Sequence, residues 1–144
     1  MKIKSVFDEG GRIPIKYTCD GMNINPPLEF LEVPKEAKSL ALIVDDPDSP
    51  SGIFTHWIIW NLPPATRAIK ESSVPSSSVE GTNDFVRAGY GGPCPRSGTH
   101  RYMFRLFALD RLLNLPPGSE KDDFEKAMKG HVIQRAVLTG VYSR

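Results

Sequence analysis

A chain of 144 residues is long enough for one domain that buries about two-thirds of the surface its unfolded state exposes. Eighteen basic against seventeen acidic side chains leave a net charge of +1, so no global field would hold a nucleic-acid backbone or an anionic membrane, and nucleic acid is excluded as the expected partner. No apolar run approaches the roughly twenty residues a spanning helix needs, and MKIKSVFDEG turns acidic before a signal-peptide core could form; a single cytoplasmic domain over residues 1–144 without a transmembrane segment is expected.

In chain order, Lys2 to Phe7 alternates polar and apolar residues and predicts an opening strand, stopped by Asp8-Glu9-Gly10-Gly11. Arg12 to Tyr17 is a short second candidate, followed by a structured loop from Thr18 to Pro27 with the turn chemistry of Gly, Asn, Asp and Pro. Leu28 to Val33 alternates again until Pro34. The stretch Leu40 to Leu62, LALIVDDPDSPSGIFTHWIIWNL, reads as two buried strands around an acidic, proline-bearing loop. Asp45, Asp46 and Asp48 are assigned to that loop with Pro47 and Pro50, since proline has no N–H for a ladder.

Arg67 to Ile69 is at most a short strand, and the serine-rich Glu71 to Ser78 is a surface loop. Turn residues Glu80 to Phe85 feed a second block, GYGGPCPRSGTHRY from Gly89 to Tyr102, which opens into the buried run Arg101 to Leu109. One helix is expected, with Ser119 as N-cap, Asp122 three residues on, Phe124, Ala127 and Met128 on one face, and Gly130 closing it. Ala136 to Tyr142 is a terminal strand. About eight strands and one helix predict a mainly antiparallel β-sandwich with a C-terminal helix packed on it.

Both polar blocks stand at strand mouths, and their convergence would bring His56, His100 and the Tyr102 hydroxyl around one pocket beside Asp46. The backbone N–H groups of Gly91 and Gly92 would be within reach, as suits a phosphate or carboxylate. An Asp beside an imidazole favours the cation, so affinity for a fixed-charge phosphodiester should weaken as pH rises through the histidine pKa. Asp46, Asp48, His56, Cys94 and His100 include every ligand type zinc uses, but lack a dense spacing motif. Ser49, Ser51, Ser97 and Cys94 are the nearest nucleophiles, yet no GxSxG elbow is present. Binding without a cofactor is therefore favoured over catalysis, with a hydrolase or metal-dependent enzyme built on His56, His100 and Asp46 as the alternative. Cys19 and Cys94 form no CxxC pair and are expected to be free thiols.

The pair DDPDSPSGIFTHW and GYGGPCPRSGTHRY resembles the two signature regions of the phosphatidylethanolamine-binding proteins, or Raf kinase inhibitor-like proteins, in their short bacterial and archaeal branch. YTCDGMNINPPLEF, GTNDF, LPPG and AMKGHVIQRAVLTGVYSR extend the resemblance along nearly the whole chain. It implies two antiparallel sheets with a small anion pocket formed by Asp46, Asp48, Pro50, His56, Gly92, Pro93, His100 and Tyr102. It also implies binding of a phosphate or phospholipid head group, with a protein kinase or serine protease as a partner to be inhibited. Phe30 stands where that branch often has tryptophan, and Arg96, where a further proline is usual, adds a cation at the rim. The sequence leaves the oligomeric state open, a homodimer included.

Overall fold

A computed structural model describes Met1–Arg144 as two antiparallel sheets and one helix. The elements in chain order are β1 (Lys2–Lys4), β2 (Leu28–Leu31), β3 (Ser39–Asp46), β4 (Phe54–Leu62), β5 (Ala68–Ile69), β6 (Val79–Glu80), β7 (His100–Leu109), α1 (Lys121–Met128) and β8 (Val132–Tyr142). A three-stranded sheet in the order β1-β2-β5 faces a five-stranded sheet in the order β6-β4-β3-β7-β8. The fold is thus the β-sandwich with a late helix that the alternating pattern predicts.

Alternation along the central strands divides the apolar residues between two cores. Leu40, Leu42 and Val44 of β3, Trp57 and Ile59 of β4, and Phe104, Leu106 and Ala108 of β7 meet Ile3, Leu28, Phe30 and Ile69 of the small sheet. The opposite face of the five-stranded sheet, with Ala41, Ile43, Ile58, Trp60 and Phe107, is covered by Phe124 and Met128 of α1 and by Leu113. This second core explains why β3 is apolar at every position from Leu40 to Val44: it is buried on both sides.

Several local assignments differ from the sequence reading: β1 stops at Lys4, Glu80 belongs to β6 and β8 begins at Val132. Arg12 to Tyr17 is not a strand; Arg12 makes a single bridge to Val141, and Ile15–Tyr17 is one 3₁₀ turn. Asp45 and Asp46 belong to β3, because each carboxylate finds a partner there. Asp45 faces the helix side, where Arg105, Lys121 at 3.5 Å and the Thr55 hydroxyl at 3.2 Å surround it. The residue preceding α1 is Glu120, which makes no side-chain cap; the Ser119 hydroxyl donates backward to the Pro116 carbonyl, 2.7 Å. Cys19 and Cys94 are not free: they form a disulfide, their Cα atoms 5.4 Å apart across 75 residues of sequence. Spacing along the chain carries no sign of that approach.

Candidate functional site

The inner faces of β3, β4 and β7 run past the end of the apolar core and turn polar, leaving a cavity of about 520 Å³. Asp46 continues the face of Leu42 and Val44, and Tyr102 and His100 continue that of Phe104 and Leu106. On β4 the phase is set by a bulge. Val44 pairs with Trp57 and Asp45 with Thr55, so one step on β3 spans two on β4, and the extra residue is His56. A bulge re-aims a side chain without interrupting the flanking ladder. Trp57 stays in the core, Thr55 reaches Asp45 on the helix side, and His56 lines the cavity with Phe54.

Both imidazoles are oriented through Nδ1. His56 Nδ1 lies 2.7 Å from the Gly91 carbonyl oxygen, which can only accept, so Nδ1 carries the proton. His100 Nδ1 lies 2.6 Å from Asp46 Oδ2, while Asp46 Oδ1 accepts the Asp48 N–H at 2.8 Å. Neither Nε2 has a protein partner, and neither is sealed from the cavity. The Tyr102 ring stands between them, with centroids 5.2 Å from His56 and 6.5 Å from His100. Its hydroxyl is buried without a hydrogen-bond partner. Burial pushes that phenol well above its usual range, with the Asp46 charge adding to the effect, so it remains a donor.

For His56 burial outweighs the Gly91 carbonyl and the charges of Asp46, Asp45 and Asp84, and its pKa falls below the usual imidazole value. Burial therefore favours the neutral form of His56, which with Nδ1–H donating to Gly91 presents an Nε2 lone pair; of the two histidines considered from the sequence as a charged donor, His56 is the disfavoured one.

Of the eight residues read from the sequence, Asp46, Pro50, His56, His100 and Tyr102 line the cavity; Asp48, Gly92 and Pro93 do not. Asp48 receives the backbone N–H and the guanidinium of Arg101 in three hydrogen bonds of 2.8–2.9 Å, which hold its carboxyl down at about 2. The Gly92 N–H is spent on Asn23 Oδ1 at 2.8 Å and the Gly91 N–H on the His56 carbonyl at 2.9 Å, so neither is available as an anion donor. Gly91 is instead small because the Phe85 ring lies where its Cβ would be, 2.4 Å away. The Pro93 carbonyl accepts the Cys19 N–H at 3.1 Å, which binds the 93–97 wall to the loop after Tyr17.

The sequence reading missed Asp84 and Phe85 as wall residues, and Arg96 sits at the rim as expected. Asp84 Oδ2 accepts the Thr55 N–H at 2.7 Å, and the buried Asn83 orders the turn by accepting the N–H groups of Phe85 and Arg87. The one available signal was that Asn83-Asp84-Phe85 turn directly before the second block. No three His, Cys, Asp or Glu side chains converge to ligate a metal, and Cys94 is spent on the disulfide.

Asp48 yields a stability prediction. Its carboxyl is depressed in the folded state, so the Arg101 contact contributes fully above the unfolded value near 4 and is lost as pH falls toward 2. Asp48→Asn is expected to flatten the fall in melting temperature between pH 4 and 2 relative to the wild type. Parallel curves for the two proteins would show that the ion pair adds nothing.

A family model described as phosphatidylethanolamine-binding protein matches residues 3–143. A UPF0098 protein of Methanothermobacter thermautotrophicus is 53% identical, the match covering 100% of this chain and 99% of that one. One of Pyrococcus horikoshii is 49% identical over 100% of this chain and 77% of its own. The crystal structure of a putative phosphatidylethanolamine-binding protein homologue from Chlamydia trachomatis superposes with TM-score 0.95 at 42% identity, covering 99% of this chain and 97% of that one. E. coli YbcL, described as a new member of the mammalian family, gives TM-score 0.92 at 28% identity, covering 99% and 98%.

Proposed function

Because the chain belongs to the phosphatidylethanolamine-binding protein family, we propose that its cavity binds a small oxyanion, a phosphate or phosphorylated head group, and that the protein is a binding or inhibitory module without a cofactor. The observation that carries this reading is the pair of imidazoles whose Nδ1 atoms are committed to Gly91 and Asp46 while both Nε2 atoms lack a protein partner. The unpartnered Tyr102 hydroxyl beside them supports it, since a buried donor without an acceptor carries a cost that a ligand can relieve. Asp46 Oδ2 lies 2.6 Å from His100 Nδ1, so a protonated His100 would be ion-paired on one side and offer Nε2 as a charged donor on the other.

A few such bonds, each worth roughly 1.5–3 kcal/mol, offset the lost freedom of a small ligand only to micromolar or millimolar affinity. Calorimetric titration with phosphoethanolamine at pH 6 is expected to give a dissociation constant in that range, weakened at least tenfold by His100→Ala. No binding, or equal binding by the variant, would overturn the reading.

A kinase or serine protease partner would meet the rim, where Val86 is 83% and Ile53 58% exposed, next to the wall residues Phe85 and Phe54. Cytoplasmic residence remains part of the proposal on the condition that the Cys19–Cys94 bond escapes reduction, as in the intracellular disulfides of hyperthermophiles. No helix is long and apolar enough to cross a membrane.

The Asp46-held His100 favours one second reading, a hydrolase in which Nε2 is a general base. Ester turnover abolished by His100→Ala would decide for it.

A further inference from the structure

The cavity presents acceptors as well as donors. His56 Nδ1–H donates to the Gly91 carbonyl, and burial of the ring, 3% exposed, disfavours its cation; in the neutral ring Nε2 can only accept. Asp84 adds a carboxylate to the same wall, with Oδ2 committed to the Thr55 N–H. Asp46 adds another, both of whose oxygens already accept hydrogen bonds. The charged and titratable groups facing His56 are thus Asp46 from β3, Asp84 from the loop before Gly89, and His100 and Tyr102 from β7, while the charge of Asp45 acts on it from the helix side of the sheet. Arg96 stands at the rim and Arg101 is occupied by Asp48. An oxyanion with no hydrogen would meet a lone pair at His56 and two acid side chains; one that keeps a hydrogen has a donor to place there.

We propose that the cavity takes its oxyanion protonated, as the singly charged monoanion of a phosphate monoester or as dihydrogen phosphate, whose P–OH donates to His56 Nε2, and that it discriminates against anions with no proton to give. This rests on the oxyanion-binding reading above and narrows it: His100 and Tyr102 meet the unprotonated oxygens, and His56 is the specificity-determining residue. Sulfate has the same tetrahedral shape but is fully deprotonated at neutral pH. A dialkyl phosphate carries the same single charge but no P–OH.

The test is calorimetry on the wild-type protein with phenyl phosphate, inorganic phosphate, sulfate and dimethyl phosphate from pH 5 to 9. At pH 6 sulfate and dimethyl phosphate are expected to bind at least about tenfold more weakly than either phosphate. The monoester's affinity should fall about tenfold per pH unit above its second ionisation, near pH 6. The midpoint should lie higher for inorganic phosphate, by the difference between the two ligands' own ionisation constants. His56→Gln, whose amide can turn an N–H toward the cavity, is expected to narrow the preference for phosphate over sulfate. Sulfate or dimethyl phosphate binding within threefold of phosphate at pH 6 would overturn this inference while leaving the oxyanion site standing. A single midpoint shared by both phosphates would do the same, since it would place the titrating proton on His100. Absence of binding by every oxyanion at every pH would remove the site itself.

Discussion

Replacing Cys19 and Cys94 by serine is expected to lower stability by about 4 kcal/mol, the largest single effect in this chain. The bond closes a loop across 75 residues of sequence, and the chain-entropy account assigns a loop of that size about 4 kcal/mol through restriction of the unfolded state. For a domain of this length the melting temperature should fall by roughly 12 °C. The folded cavity is expected to change little. Its 93–97 wall is also tied by the Cys19 N–H to the Pro93 carbonyl, by the Gly92 N–H to Asn23 and by the Tyr90 hydroxyl to the Tyr17 carbonyl at 2.7 Å. Well below the melting transition, phosphate affinity of the double variant should stay within threefold of the wild type. Thermal denaturation with and without a dithiol reductant, beside the serine variant, measures the first effect. Equal melting temperatures would show that the bond does not constrain the chain.

Gly92→Ala should have the second largest effect. The carbon added at Gly92 would lie 2.4 Å from the Tyr17 carbonyl oxygen, 2.5 Å from Asn23 Oδ1 and 2.9 Å from Thr18 Cα, distances that real contacts do not reach. Two of the three atoms are backbone, so a rotamer change cannot relieve the clash, and the cost is expected at the upper end of overpacking, about 3 kcal/mol. The N–H of Gly92 survives the substitution. A loss of affinity would therefore come from displacement of the 93–97 wall. Gly98→Ala is the comparison: it sits at φ +72° in open space and should cost only the 1–2 kcal/mol of that backbone conformation. Denaturant midpoints for the two variants are the measurement, and a Gly92→Ala protein as stable as Gly98→Ala would refute close packing of the wall on the Tyr17 loop.

Both effects concern contacts distant in sequence, and the same distinction separates what the sequence made legible from what it did not. The long apolar runs of β3, β4 and β7 announce themselves by residue type, so the sandwich could be read from the pattern; the Gly/Pro loops before His56 and His100 mark the mouths of two of those strands, and it took the family resemblance as well to join the two histidines with Asp46 and Tyr102. Asp45 and Asp46 were misassigned because a carboxylate in a buried strand is tolerable only with partners, and these come from Arg105, Lys121 and His100, more than fifty residues away. The glycine N–H groups were misjudged for the same reason: their acceptors, the His56 carbonyl and Asn23, are supplied by other parts of the chain. The charge state of His56 follows from how deeply β4 is buried, which no neighbour in sequence declares.

The bulge on β4 has a bearing on how this molecule can change over evolutionary time. Because Trp57 opposes Val44, Thr55 opposes Asp45 and Phe54 opposes Asp46, His56 has no partner of its own on β3, although its carbonyl accepts the Gly91 N–H at 2.9 Å. Its imidazole thus lies outside the β3–β4 pairing. Selection on the sheet and selection on the ligand therefore act on separable positions of one strand: the flanking residues answer to folding, while the inserted one is free to be exchanged for whatever chemistry the cavity is asked to perform. Substitution at that point could alter the chemistry of the cavity without renegotiating the register of the sheet.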